Sequence, residues 1–247
     1  MAKTAGYNLD SSNPNLRKLA SRKGILAETV LSILSQWRGR RPESDRVTRQ
    51  PSSSGMSLHD RRGGRKYLNA AERHRFLDAA NQAPPKVRLF CFVLMWSGSR
   101  LSETLALTPA AIDLDGGIVS IETLKRRRHG IVRQVPLPAP LLRQLEQVFD
   151  IRSAQVDPAR AHRPLWPWSR STAWRHVKVV MNAAEVPLSA AMPKGLRHAF
   201  GVVAFQRVPP HLVQRWLGHA SMRTTAIYGD VSGHDERVFA ARLWRAW

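Results

Sequence analysis

The stretch KGLRHAFGVVAFQRVPPHLVQRWLGHASMRTTAIY, residues 194–228, carries most of the information about the fold. Its apolar residues predict a helix over 196–207, because they recur at helical spacing on one face. Pro209-Pro210 begins a second helix and Gly218 ends it, since proline suits a first helical turn and glycine suits a helix end. A short third helix carries Tyr228. This end of the chain is therefore predicted to be helical.

Upstream of this stretch the pattern is first helical and then strand-like. Asn69 with Glu72 three residues later predicts a helix start, and the run 86–96 is apolar on nearly every face, as in a buried core helix. Residues 118–121 and 131–135 have the composition of strands on either side of a turn. We predict a mainly α fold with a small antiparallel β-sheet, an α+β class.

Basic side chains gather at two places that could contact a polyanion. One is the tip of the predicted hairpin, and the other is one face of a helix that begins near residue 171. A basic helix face is usually only solvated, but the charge of this chain favours a DNA-facing surface. The predicted DNA-binding residues are Arg126, Arg127, Arg128, Arg175 and Lys178.

The first 66 residues differ in composition from the rest of the chain. They hold 14 Lys and Arg against 5 Asp and Glu, a net charge of +9. A helix is predicted over 15–37, and 38–66 is so poor in apolar residues that it indicates a linker or a disordered arm. A solvated tail without a role is the alternative. We therefore divide the chain into 1–66 and 67–247.

Composition limits the partner class and the compartment. The chain has 247 residues, is 43% hydrophobic and carries a formal net charge of +21, so a core can form and nucleic acid is the leading partner. The longest apolar run is eight residues, whereas a bilayer span needs ~20, which excludes a membrane-spanning protein. Cys91 is the single cysteine, and the N-terminus has no apolar signal segment. These features predict a cytoplasmic, nucleoid-associated protein.

Four clusters follow one another along the chain, and their order is as informative as their content. They are GSRLSE at 98–103, the hairpin with Lys125, KGLRH at 194–198, and LGH at 217–219 with Tyr228 nine residues later. Together they resemble the catalytic domain of the tyrosine recombinase (phage integrase) family, and the resemblance covers residues 67–247.

The resemblance implies a role for six residues in DNA strand transfer. Two arginines would bind the non-bridging phosphate oxygens, because guanidinium charge is permanent and forked. A tyrosine would form a 3′-phosphotyrosyl bond that conserves the energy of the broken linkage, so rejoining needs no ATP. A histidine would donate to the phosphate, and a hairpin lysine would protonate the leaving 5′-oxygen. These catalytic candidates are Arg100, Lys125, Lys194, Arg197, His219 and Tyr228.

The chain departs from the family pattern in two ways. The family usually has His at the position of Lys194, and Lys is a poorer general base for Tyr228. His198 is expected to pack locally rather than to replace that base. Residues 1–66 are also too short and too polar for the helical core-binding domain that usually precedes the catalytic domain.

The resemblance implies a site-specific recombinase or integrase that needs no metal and no cofactor. It would act on double-stranded DNA as a tetramer on paired sites, with a C-terminal helix carrying Trp244 and Trp247 docked into a neighbouring protomer. That helix could instead pack on its own core. Two other functions stay open: a DNA-binding accessory protein without strand transfer, and a type IB topoisomerase.

Overall fold

The computed structural model describes residues 57–60, 62–123 and 130–229. The hairpin residues Lys125, Arg126, Arg127 and Arg128 lie outside these ranges, as do the predicted helices at 15–37 and at the C-terminus. Among the described residues, no helix is both long enough and apolar enough to cross a bilayer.

Ten α-helices and three strands make up the described part of the chain. The first group of helices is α1 (Ala70–Gln82), α2 (Pro85–Ser97) and α3 (Leu101–Leu105), followed by a 3₁₀ turn at Pro109–Ala111. The strands are β1 (Ile112–Asp113), β2 (Ile118–Glu122) and β3 (Val132–Pro136). The remaining helices are α4 (Ala139–Phe149), α5 (Ile151–Val156), α6 (Pro158–Ala161), α7 (Arg170–Ala183), α8 (Pro193–Phe205), α9 (Pro210–Leu217) and α10 (Met222–Ala226).

The small sheet is antiparallel, in the order β1-β2-β3. In β2 and β3, Val119 faces Val135 and Ile121 faces Arg133. Alternate side chains of each strand are buried, as expected for a sheet with one face on the core. The predicted mainly α fold with a small antiparallel sheet is confirmed.

The central helix α2 is buried along most of its length, with nine of its thirteen residues inaccessible to solvent. It begins after Pro84 and ends at Gly98, whose φ of 61° is the left-handed conformation that glycine adopts readily. Asn69 and Glu72 form the predicted capping box at the start of α1. Local sequence signals therefore fix the ends of these helices.

A second, smaller core cluster includes the predicted nucleophile Tyr228. It contains Leu58, Tyr67, Val202, Ala204, Val213, Leu217, Ile227 and Tyr228. Leu58 is 4% exposed, and its carbonyl accepts from the backbone N–H of Lys66. Packing thus begins before the predicted boundary at residue 67, because Leu58 supplies a strongly apolar side chain within an otherwise polar stretch.

Helix α7 buries Val177, Val180 and Met181, as its apolar spacing predicts, but Trp174 departs from that pattern. Apolar spacing predicts Trp174 on the buried face, but this side chain is 41% exposed and Ala173 takes the buried position. Ser169 caps the helix by accepting from the N–H of Thr172. Apolar periodicity leaves a choice between adjacent residues, and the smaller one fits against the core.

Candidate active site

Arg197 joins three helices at the centre of the site. It lies in α8, is 7% exposed, and donates from its two terminal nitrogens to the carbonyls of Gly98 (2.7 Å) and Leu217 (2.6 Å). These carbonyls lie at the C-terminal ends of α2 and α9, where backbone acceptors lack helical partners. Burial, and then the nearby charge of Arg100, lower the pKa of Arg197 to about 10. It remains a cation at neutral pH.

Arg100 begins α3 with its guanidinium partly exposed. Its backbone N–H donates to Glu103 (2.9 Å), and its Nη1 pairs with the same carboxylate (2.5 Å). Arg100 keeps 30% of its side chain exposed, whereas the side chain of Glu103 is fully buried. Glu103 thus holds the base of Arg100 in place and leaves part of the cation accessible.

Arg133 completes this ion cluster from the sheet. It donates to Glu103 (2.6 Å), to the Thr123 hydroxyl (3.0 Å) and to the carbonyl of Trp216 (2.7 Å). Burial raises the pKa of Glu103, but its bonds to Arg133 and Arg100 outweigh this and hold that pKa below its usual range. No sequence signal indicated these bonds, because the partners are far apart in the chain.

His219 follows Gly218, the left-handed residue that ends α9. Its side chain is buried, and its Nδ1 lies 2.9 Å from the Thr225 hydroxyl at the end of α10. Burial and the charge of Arg197 lower the pKa of His219 to about 3, so the ring is neutral. An open groove runs beside it toward the base of the hairpin, lined among others by Thr123, Arg133, His211 and Arg215.

Tyr228 is 1% exposed, so its ring is buried. Its ring lies parallel to that of His219, with centroids 6.1 Å apart, and covers Gly201 of α8. A Cβ at Gly201 would lie 2.6–2.7 Å from the Cε atoms of the ring, so glycine makes room for the tyrosine. The phenol oxygen lies 3.1 Å from Nδ1 of His198. Burial raises the pKa of Tyr228 to about 12, against the opposing effect of Arg197.

The other predicted residues lie further from this centre. Lys194 is exposed near the start of α8, and its charge lowers the pKa of His198. Lys178 donates to the carbonyl of Ala191 (2.8 Å), so one donor of its ammonium group is used in a hydrogen bond within the protein. Arg175 is exposed on α7. Thus Arg100, Arg197, His219 and Tyr228 meet, whereas the contacts given for the two α7 cations lie within α7 and to Ala191.

His198 is expected to pack locally, but its ring lies against the phenol of Tyr228, 30 residues further along the chain. Its buried contact with a candidate nucleophile was missed, although an Arg-His pair on an apolar helix next to a predicted site is the signal that could have found it. Within the described ranges, no group of three or more His, Cys, Asp or Glu side chains converges as a metal site would require.

Comparisons with known proteins agree on one family. A model of the phage integrase family matches residues 66–234, which is more than half of the chain. Tyrosine recombinase XerA of Pyrococcus furiosus is 27% identical over 173 residues, covering 68% of this chain and 58% of that protein. The chain therefore spans less than two thirds of the length of this relative.

Two solved structures share the fold. The crystal structure of XerA recombinase has a TM-score of 0.58 at 24% identity, with 71% of this chain and 64% of that chain covered. The XerH site-specific recombinase, bound to palindromic difH substrate in a post-cleavage complex, also has a TM-score of 0.58, at 19% identity. That match covers 94% of this chain and 71% of the XerH chain.

Proposed function

The chain belongs to the phage integrase family, and from that membership we propose that it cuts and rejoins double-stranded DNA through a covalent link to Tyr228. The observation that carries the proposal is a single cluster built from four separate elements. Arg100 lies at the start of α3, Arg197 lies within α8, His219 follows α9, and Tyr228 follows α10. A tyrosine, a histidine and two arginines are the groups that metal-free phosphoryl transfer to a phenol requires.

The proposed reaction is a transfer of the phosphoryl group between two oxygens. The Tyr228 oxygen bonds to phosphorus as the bond from phosphorus to the 5′-oxygen breaks, and the phenol loses its proton while the 5′-oxygen gains one. Arg100 and Arg197 would stabilise the extra negative charge of the five-coordinate transition state, and His219 would donate to a phosphate oxygen. Rejoining is the same step in reverse.

Two lysines complete the proposal from the sequence. Lys125, in the hairpin outside the described residues, would protonate the 5′-oxygen, since lysine releases a proton far more readily than the neighbouring arginines. Lys194 occupies the place where the family usually has histidine, and its exposed position at the start of α8 would suit a contact with phosphate. Arg126, Arg127, Arg128, Arg175 and Lys178 would contact the DNA backbone.

The proposed partner is duplex DNA, and the proposed assembly is a tetramer on paired sites. The charge of +21 and the DNA-bound state of the XerH relative support DNA as the substrate. The C-terminal helix with Trp244 and Trp247 would join neighbouring protomers, since two large aromatic rings suit a buried contact. The protein would then act in the compartment that holds the DNA.

Trapping the covalent intermediate tests the proposal. The protein is mixed with overlapping duplexes from both sides of its own gene, each nicked so that a cut product diffuses away and cannot be resealed, and then denatured. We expect a protein–DNA adduct that survives detergent and disappears in Tyr228→Phe. Tyr67→Phe is the matched control and should keep the adduct, because Tyr67 is not one of the catalytic candidates.

Other results would favour the other functions. Tight binding without an adduct on any duplex would favour an accessory DNA-binding protein. An adduct together with relaxation of supercoiled DNA by a monomer would favour a type IB topoisomerase.

A further inference from the structure

His198 is buried beside the phenol of Tyr228. It follows Arg197 in α8, is 3% exposed, and places Nδ1 3.1 Å from the phenol oxygen. The two rings are tilted by 56°, with centroids 5.9 Å apart, so the contact is made edge to edge through the polar atoms. This is hydrogen-bond distance between a nitrogen and a hydroxyl.

The phenol is the one hydrogen-bond partner that the described structure gives this imidazole. Nε2 of His198 is buried and has no hydrogen-bond partner. Most buried polar side-chain atoms have a hydrogen-bond partner, so an unpartnered one calls for an explanation such as a catalytic role. The ring is therefore placed by its contact with Tyr228 and by packing, with no second polar contact to direct it elsewhere.

Burial and the surrounding positive charges keep His198 neutral. Burial, followed by the cations Lys194, Arg197 and Lys66, lowers the pKa of His198 to about 3. His219, whose ring stacks on that of Tyr228, is neutral too. A neutral imidazole has one nitrogen with a free lone pair, which can accept the phenol hydrogen. When Nδ1 accepts, both lone pairs of the Tyr228 oxygen stay available for a phosphorus atom.

We propose that His198 is the positioning residue of the nucleophile, directing the Tyr228 oxygen by accepting its hydrogen bond at Nδ1. Gly201 below the ring and His219 alongside it fix the plane of the phenol, and His198 fixes the direction of its hydroxyl. The inference rests on the proposed function, because it assigns a role within that site. A nucleophile that is misplaced by about 1 Å can lose ~100-fold in rate.

Two substitutions separate positioning from simple packing. His198→Asn puts an amide oxygen near the place of Nδ1 and can still accept the phenol hydrogen, whereas His198→Leu fills the space and cannot. We expect His198→Leu to slow adduct formation at saturating DNA by about 100-fold, with the DNA dissociation constant unchanged. His198→Asn should restore most of that rate. Thermal unfolding of both variants shows whether each one is folded.

Two rate results would overturn the proposal. One is wild-type adduct formation by folded His198→Leu, since the hydrogen bond would then be dispensable. The other is an equal reduction in rate for both folded variants, because a residue that only positions the phenol can be replaced by another acceptor.

A measurement without DNA separates this proposal from the proposed function. The nitrogen-15 resonance of His198 Nδ1 is compared between the wild-type protein and Tyr228→Phe. A change of the resonance supports the hydrogen bond, and an unchanged resonance overturns the inference. If the wild-type protein forms no adduct with any duplex, the proposed function fails, and this resonance still decides whether His198 holds the phenol.

Discussion

At the residue scale, Glu103 holds the ion cluster together. Its side chain is fully buried and binds Arg133, which is 4% exposed, and Arg100, which is 30% exposed. Removing one partner of a buried ion pair leaves an uncompensated charge, which costs more than the pair contributed. The carboxylate therefore couples the stability of the domain to the placement of a predicted phosphate ligand.

Glu103→Gln should destabilise the protein by about 3 kcal/mol, because two arginines are left without their anion. The pKa of Glu103 is lowered in the folded state, so its contribution is complete above the unfolded value near 4.5 and is lost as the pH falls through the folded value. The difference in the free energy of unfolding between the wild-type protein and Glu103→Gln should therefore shrink as the pH falls below about 4.5. Denaturant unfolding over a pH series measures both effects.

The exposed pair of Asp115 and Arg152 supplies the control for this prediction. These side chains are 80% and 59% exposed, so Asp115→Asn should leave the unfolding midpoint unchanged. Equal effects of the two substitutions would show that the Glu103 cluster is not a stabilising core feature.

At the element scale, the end of α9 places three parts of the site at once. The Leu217 carbonyl accepts from Arg197, Gly218 turns the chain, and His219 follows directly. Gly218 has a φ of 63°, and a Cβ there would lie 3.1 Å from Arg133 and 3.2 Å from Thr123. Gly218 is therefore favoured for two reasons: its left-handed backbone conformation, and the close approach of Arg133 and Thr123.

Gly218→Ala should destabilise the protein more than Gly117→Ala. Both glycines have positive φ, and alanine in that conformation costs roughly 1–2 kcal/mol. A Cβ at Gly117 meets nothing within 4 Å, so that variant measures the backbone cost alone. Denaturant unfolding of both variants measures how much more Gly218→Ala lowers the free energy of unfolding than Gly117→Ala does. Equal destabilisation would mean that Arg133 moves aside at no energetic cost.

Sequence signals predicted the elements better than the contacts between them. The capping box of α1, the Gly98 and Gly218 helix ends and the hairpin strands follow from local preferences of residue types. The orientation of Trp174 did not follow, because periodicity cannot choose between neighbouring residues at the edge of an apolar face.

The site was predictable in its residue types but not in its internal bonds. Arg100, Arg197, His219 and Tyr228 could be picked out because each lies in a short motif. The bonds from Arg133 to Glu103 and from His198 to Tyr228 each join residues 30 positions apart. No local pattern encodes such a pairing, since it depends on how the helices and the sheet pack.

At the scale of the whole molecule, positive charge is divided between residues 57–247 and the segment 1–56. Residues 1–56 contribute ten Lys and Arg and four Asp and Glu, a net of +6 out of +21. Most of the charge therefore belongs to the part that includes the candidate site. A cation that binds a DNA phosphate adds to the salt dependence of binding, because it releases a condensed counterion.

Two truncations distinguish the contribution of residues 1–56 to DNA binding from the contribution of Leu58 to the core. Deletion of 1–56 should weaken DNA binding and lower its salt dependence, with a slope that falls by about 0.9 for each DNA phosphate that the segment neutralises, and it should leave the unfolding temperature unchanged.

Deletion of 1–60 also removes Leu58, which is 4% exposed in the second core cluster, so it should lower stability by roughly 2 kcal/mol or more. Binding to a duplex of arbitrary sequence over a salt series and thermal unfolding measure the two effects. Equal unfolding temperatures for both truncations would show that Leu58 contributes nothing to the core, and an unchanged salt slope would show that the segment does not bind DNA.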